Sequence, residues 1–270
     1  LSAVAAAGEI AAGRISAEEL TRACLARINE RENDVKAWAW LSPEQAIAAA
    51  RARDREPGRG LLHGVPVGVK DIIDTADMPT TYGSPIYAGH RPAWDAACVA
   101  LTRAAGGIVI GKTVTTEFAV MQPNKTRNPH NIAHTPGGSS SGSAAAVADY
   151  MVPLAFGTQT AGSIIRPASY CGVVGYKPSF GLISRVGVKA LSDTLDTVGT
   201  IARTVPDAAL FAAALTGRLE LMVEKPWSGR LRVGICQTYE WKHAAPETIA
   251  ALESAARRLA QTWLTSRGCC

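Results

Sequence analysis

No stretch of the 270 residues sustains the run of roughly 18 apolar residues that a membrane helix needs, so no spanning segment is expected. The Ala-rich opening carries Glu9 and Arg14 within it, which excludes the unbroken apolar core of a signal sequence. Cysteine is sparse. Cys24, Cys98, Cys171, Cys236, Cys269 and Cys270 include no C-x-x-C pair and lack the density of a disulfide scaffold, so a reducing, cytoplasmic setting is the expectation. There is no run of like charge either. Lys and Arg exceed Asp and Glu by 28 − 23 = 5, and they are scattered through helical patterns, which excludes a basic nucleic-acid footprint. Internal repeats, low-complexity tracts and a clear linker are also missing, so one domain over residues 1–270 is expected, with 217–229 as a surface excursion. The chain opens at Leu1 instead of Met and closes just after a helix pattern, and it reads as a fragment.

What is present is enough apolar content, 47%, to bury a large core. Ser16 with Glu19, and Ser42-Pro43 with Gln45, have the form of capping boxes and start helices near Ala17 and Pro43. Further helices are expected from Asp95 to Ala105 and over 143–148, 206–215 and 246–264. Strands are expected over 61–74, 108–110, 151–156, 198–201 and 231–236, with 171–178 as glycine-rich strand or turn. Strands alternate with helices, so the expected fold class is an α/β sandwich with a partly parallel sheet.

The chain is organised around residues 135–167, TPGGSSSGSAAAVADYMVPLAFGTQTAGSIIRP. Two glycine-flanked serines stand in it, Ser139 within Gly137-Gly138-Ser139-Ser140-Ser141-Gly142 and Ser163 within Ala161-Gly162-Ser163. Glycines let backbone N–H groups crowd around a reacting oxygen, and the serines supply hydroxyls. Upstream, Lys70 lies alone in an apolar strand pattern. Two readings stay open for it: a lysine salt-bridged to Asp71 or Asp74, or a catalytic base.

Three formal motif matches fail on context. Residues 106–113, GGIVIGKT, fit the phosphate-loop pattern, but the loop must follow a strand and here the supposed loop is itself the strand. His130 and His134 stand four apart among Pro129, Asn131 and Pro136, which deny them one helix face for a metal. Gly138-Ser139-Ser140-Ser141-Gly142 spells a nucleophile elbow at Ser140 with no strand before it. Cys171 sits in apolar surroundings that make a thiol inert, and Lys177 reads as structural.

Taken together, Gly68-Val69-Lys70-Asp71, the 137–143 serine loop, Gly162-Ser163 with Arg166-Pro167, and Cys171-Gly172-Val173-Val174-Gly175-Tyr176-Lys177-Pro178 resemble the amidase signature family over about residues 61–199. The resemblance implies a large mixed sheet covered by helices on both faces, and hydrolysis of a small-molecule amide without cofactor or metal. It makes Ser163 the nucleophile, Ser139 the bridging serine held by a cis peptide bond, and Lys70 the base. Family members are longer, with a C-terminal part that completes the sheet and walls the pocket, so this chain is expected to be truncated there.

The chemistry is coherent. A neutral Lys70 takes a proton from Ser163 through Ser139, which requires burial to depress a pKa of about 10.4. The backbone N–H groups of Thr160, Ala161, Gly162 and Ser163 form the expected oxyanion hole. Ala161 replaces a glycine of many members and narrows the loop's freedom. Gln159 stands where Asp is common, and Arg166 lies three residues after Ser163 instead of two; both features resemble the malonamidase-like branch, in which the arginine binds a substrate carboxylate. A structural arginine is the other reading. The expected activity is thus hydrolysis of a small carboxamide, such as malonamate, to the acid and ammonia. The alternatives are the glutaminase subunit of a tRNA-dependent amidotransferase, which needs partner subunits, and an inactive truncated relative. No nucleic acid or membrane partner is expected, and a homodimer is the assembly carried forward.

Overall fold

The computed structural model describes residues 1–58, 60–222 and 233–265, and of 262–265 the backbone alone. The chain divides into two compact units, Leu1–Glu224 and Lys225–Cys270. In the first unit the order is α1 (Ala3–Ala11), α2 (Ala17–Val35), β1 (Trp38–Leu41), α3 (Pro43–Arg55), β2 (Pro66–Lys70), α4 (Ala97–Ala104) and β3 (Ile108–Thr113). It continues with α5 (Ser141–Ala148), β4 (Leu154–Gln159), α6 (Ile165–Tyr170), β5 (Val174–Tyr176), β6 (Thr197–Ala202) and α7 (Val205–Thr216). The second unit holds a short 3₁₀ turn, Tyr239–His243, and α8 (Pro246–Thr265).

Six strands form one mixed sheet in the order β1-β3-β2-β4-β6-β5. Its centre is parallel, β2 pairing with β3 and β4, while β1 and β6 run antiparallel to their neighbours and β5 antiparallel to β6. Such parallel strands are buried on both faces, which is why they read as continuous apolar runs. Side chains alternate between the faces. Val67, Val69, Val109, Leu154, Phe156 and Val198 belong to one core with Phe211 and Leu215 of α7, and Phe156 packs on Phe211 with ring centroids 4.6 Å apart. Ile108, Ile110, Ala155 and Ile201 belong to the other, with α2, α3 and α5. The α/β class with helices on both faces is as expected.

Particular boundaries differ. The strand expected over 61–74 contracts to β2, because turns flank it: Val65 N donates to the Leu62 carbonyl before it, and Ile73 N to the Lys70 carbonyl after it. The strand expected from 151 starts at Leu154; Met151 and Val152 are buried but precede the ladder. Asp95 does not cap α4: the N-cap is Ala96, and the Asp95 carboxylate accepts from the Ala76 N–H and pairs with Arg103. The capping box at Ser16 and Glu19 forms as read. Of the strand expected over 231–236, residues 231 and 232 lie outside the described residues, and Val233 to Cys236 form none. Val233 and Ile235 are exposed, and a strand needs a ladder partner.

α5 is buried from Ser141 to Val147, which only small side chains allow. Arg27 and Arg31 of α2 both bind the Asp149 carboxylate at its C-terminal end, clamping the two helices. At its first turn, Gly142 N donates to the Val114 carbonyl, 2.9 Å, beside the bond from Val114 N to the Ala37 carbonyl, 2.8 Å. A Cβ on Gly142 would lie on the Ala37 oxygen and the Val114 nitrogen. Gly142→Ala is therefore expected to cost about 3 kcal/mol, read as a fall in thermal midpoint by circular dichroism. Gly162→Ala, whose Cβ would meet nothing nearer than the Arg166 Cβ at 3.9 Å, is expected to melt within a degree or two of the parent.

Candidate active site

The parallel strands β2 and β4 end at the same edge of the sheet, and antiparallel β6 begins there, Gln159 pairing with Thr197. That edge is where open α/β sheets place their sites. Lys70 is the last residue of β2 and is fully buried. Its amine lies 2.7 Å from Ser139 Oγ, 2.8 Å from Thr158 Oγ1 and 3.4 Å from the Thr158 carbonyl. All three partners are neutral. Burial therefore pulls the Lys70 amine well below its ordinary range, with the Asp196 carboxylate opposing. Neither Asp71 nor Asp74 is its partner, so the salt-bridged alternative does not hold. Asp71 accepts from the Thr81 N–H and hydroxyl, and Asp74 accepts from the Tyr82 hydroxyl.

Ser139 lies in the loop that enters α5, and the Gly138–Ser139 peptide is cis. Ser163 lies in the turn between β4 and α6. Two contacts stitch these segments together: Ser140 N donates to the Ser163 carbonyl at 3.2 Å, and Arg166 donates from Nε and Nη2 to the Gly138 carbonyl at 3.0 and 2.8 Å. The Arg166 guanidinium thus sits beside the cis peptide with Nη1 uncommitted. Among the described residues the Ser163 hydroxyl makes no hydrogen bond, so the structure brings Lys70 onto Ser139 but does not join Ser139 to Ser163.

The 160–163 loop is held at its base by Gln159. The Gln159 side-chain oxygen accepts from Ile164 N and Ile165 N at 2.9 and 3.0 Å, and its amide donates to the Ala161 carbonyl at 2.8 Å. An aspartate there could accept but not donate. Ala161 is exposed and outside the left-handed region, so its methyl group fits without strain.

The discarded motifs find structural places. Residues 108–113 of the phosphate-loop look-alike are β3, and Lys112 is buried, donating to the Ile73 carbonyl and to Thr80 Oγ1 at 2.6 Å, with Asp71 3.6 Å away. Ser140 Oγ is buried against the Thr158 backbone, and His130 bonds the Cys171 carbonyl. The Cys171 thiol is pushed up to about 12 by burial, as an inert cysteine's would be. Lys177 donates to the Pro178 carbonyl. Among the described residues no cluster of three or more His, Cys, Asp or Glu could hold a metal, and no helix is long and apolar enough to cross a membrane. Thr158 and Asp196 were not singled out by sequence; a threonine in a strand run and an aspartate in a turn carry no signal of which way they face.

The fold and this edge define a member of the amidase family. Its family model, described as Amidase, matches residues 19–265, and the chain belongs to it, as its motifs led one to expect. Among similar proteins is a glutamyl-tRNA(Gln) amidotransferase subunit of Chloroflexus aggregans, 46% identical over 227 residues, covering 80% of this chain and 46% of the relative. The peptide amidase of Stenotrophomonas maltophilia superposes with a TM-score of 0.76 at 39% identity, covering 85% of this chain and 51% of that one. A chain from a vestigial protein complex tied to the origins of an s-triazine catabolic enzyme gives 0.77 at 35%, covering 81% and 50%. The chain spans about half the length of the curated relatives it matches.

The second buried lysine yields a test of burial at this edge. Desolvation lowers Lys112 to about 8 from 10.5, with Asp71 opposing. Between those values the unfolded chain holds a proton that the folded chain lacks, so stability rises with pH. The unfolding free energy of the parent minus that of Lys112→Met is expected to grow between pH 8 and 10 at up to about 1.4 kcal/mol per pH unit, measured by urea denaturation.

Proposed function

We propose that this chain carries the catalytic half of an amide hydrolase acting through an acyl-Ser163 intermediate. The observation that carries the reading is the Lys70 amine, buried among neutral partners and 2.7 Å from Ser139 Oγ. Burial favours the neutral amine, which accepts the Ser139 proton while Ser139 takes that of Ser163, a χ1 rotation bringing the Ser163 hydroxyl onto Ser139. Ser163 Oγ then bonds to the amide carbon, and the carbonyl oxygen becomes an oxyanion facing the backbone N–H groups of Thr160, Ala161, Gly162 and Ser163. As the intermediate collapses, the C–N bond breaks and the Lys70 ammonium returns the proton through Ser139 to the departing nitrogen. Water attacks the acyl-enzyme by the same relay, releasing the acid and regenerating the hydroxyl.

The substrate in this reading is a small carboxamide. A carboxylate on it, as in malonamate, would meet the free Nη1 side of the Arg166 guanidinium. A second reading, a glutaminase subunit that works with partner subunits, is supported by the name of the Chloroflexus relative.

Ammonia release from malonamate, malonamide, a neutral aliphatic amide and glutamine tests both. Turnover is expected to fall by on the order of 10³-fold or more in Ser163→Ala, and silence of the folded parent on every amide, with and without partner subunits, would overturn the proposal. Because Lys70 must be neutral and its pKa is depressed, kcat/KM is expected to rise with pH and then level off; a flat profile counts against a lysine base. Arg166→Ala is expected to cost at least about tenfold more on malonamate than on the neutral amide, and an equal loss on both would remove the carboxylate role.

A further inference from the structure

Asp196 stands immediately before β6, at the edge where β2 and β4 end, and it is buried. Its two oxygens are divided between two duties. Oδ1 accepts from the Thr160 hydroxyl, the first residue of the 160–163 loop. Oδ2 accepts from the N–H groups of Leu191 and Ser192 at 2.7 and 2.9 Å, closing the turn that delivers Asp196 to the sheet. Arg185 braces the same turn by donating to the Ser192 and Asp193 carbonyls. A small cavity lies between the turn and β4, lined in part by Thr158, Thr160 and Asp196, and Thr158 is the residue whose hydroxyl and carbonyl hold the Lys70 amine.

We propose that Asp196 is the positioning residue of this site, fixing the 160–163 loop through Thr160 and, from the cavity it shares with the Thr158 that holds Lys70, acting on the Lys70 amine through its negative charge. The proposal rests on the roles given to Lys70 and Ser163 above. A loop whose N–H groups must converge on an oxyanion needs its first residue pinned, since donors displaced by an ångström lose most of their effect. Gln159 grips the loop from below, and Asp196 grips its entry. Three donors, the Thr160 hydroxyl and two N–H groups, converge on the carboxylate and fix its place.

Asp196 is also the charged group that opposes desolvation at Lys70. The other charges near this edge are committed elsewhere. Asp71 faces Thr81 and Lys112, Arg166 the Gly138 carbonyl, Arg185 the 192–193 carbonyls, and the Lys189 ammonium lies 5.6 Å from the centres of the Tyr82 and Tyr87 rings. One carboxylate therefore moderates the base and holds the loop that receives the oxyanion.

The test separates the two duties. In the full chain labelled with ¹³Cε-lysine, the Lys70 resonance, assigned by its loss in Lys70→Met, is titrated by NMR in parent and Asp196→Asn. Loss of the anion disfavours the ammonium, so Lys70 is expected to titrate at least about half a pH unit lower in the variant. An unchanged titration would overturn the electrostatic half. Asp196→Ser, also uncharged, reads the same way if the Asn variant does not fold. Thr160→Val keeps the charge and removes the loop bond; it is expected to leave the Lys70 titration in place and slow acylation of Ser163 by a fluorophosphonate about tenfold or more. Acylation at the parent rate would overturn the positioning half. The titration reads Lys70 whether or not the chain hydrolyses amides, and failure of the parent to acylate at Ser163 would instead count against the function proposed above.

Discussion

The structure depends on keeping one amine dry. Lys70 is taken into the sheet edge without a carboxylate in hydrogen-bonding contact, and the hydroxyls of Ser139 and Thr158 and one carbonyl replace the water it loses. An ammonium in that position carries a desolvation penalty of several kcal/mol, whereas an amine carries little. Three features serve that preference, against the opposing charge of Asp196: β2 buried at all five positions, α5 built from small residues behind the serine loop, and Thr158 delivered by the neighbouring parallel strand. The contrast with Lys112 is instructive. It too is fully buried, one strand away, but has a carboxylate beside it, Asp71 at 3.6 Å, which opposes the downward pull of burial.

Around that amine, backbone groups do the joining. The Ser163 and Gly138 carbonyls receive Ser140 and Arg166, so two loops far apart in sequence become one surface without a side-chain salt bridge between them. Side chains with two-sided hydrogen bonding hold the rest. Gln159 both accepts and donates around the Ala161 turn, and Asp196 accepts on both oxygens. That explains why glutamine at 159 is compatible with the loop, and why a methyl group at 161 is tolerated.

Much of this was legible beforehand. The alternation of strands and helices, the two serine loops and the solitary lysine all carry local signatures, because glycine and serine runs and a charge in an apolar strand are visible without knowing what packs nearby. From the residues alone the partners of Lys70 were not, since Asp71 and Asp74 are nearer in sequence than Ser139 and Thr158: Ser139 was named only through the family resemblance, and Thr158 not at all. Asp95 looked like a cap for the same reason: the residue type was right, but Arg103 and Ala76 claimed the carboxylate. Val233 and Ile235 looked like strand residues, and burial of both faces by a neighbouring ladder, which sequence cannot supply, was the missing condition.

The sheet's strand order has a consequence for how the chain is made. β5 precedes β6 in sequence but its one ladder partner is β6, which also lies between it and β4. During synthesis from the N-terminus, Val174–Tyr176 must wait unpaired until Thr197–Ala202 has left the ribosome, and only then does Asp196 arrive beside Thr160. The turn bearing Ser163 is therefore translated before the edge that frames it can close.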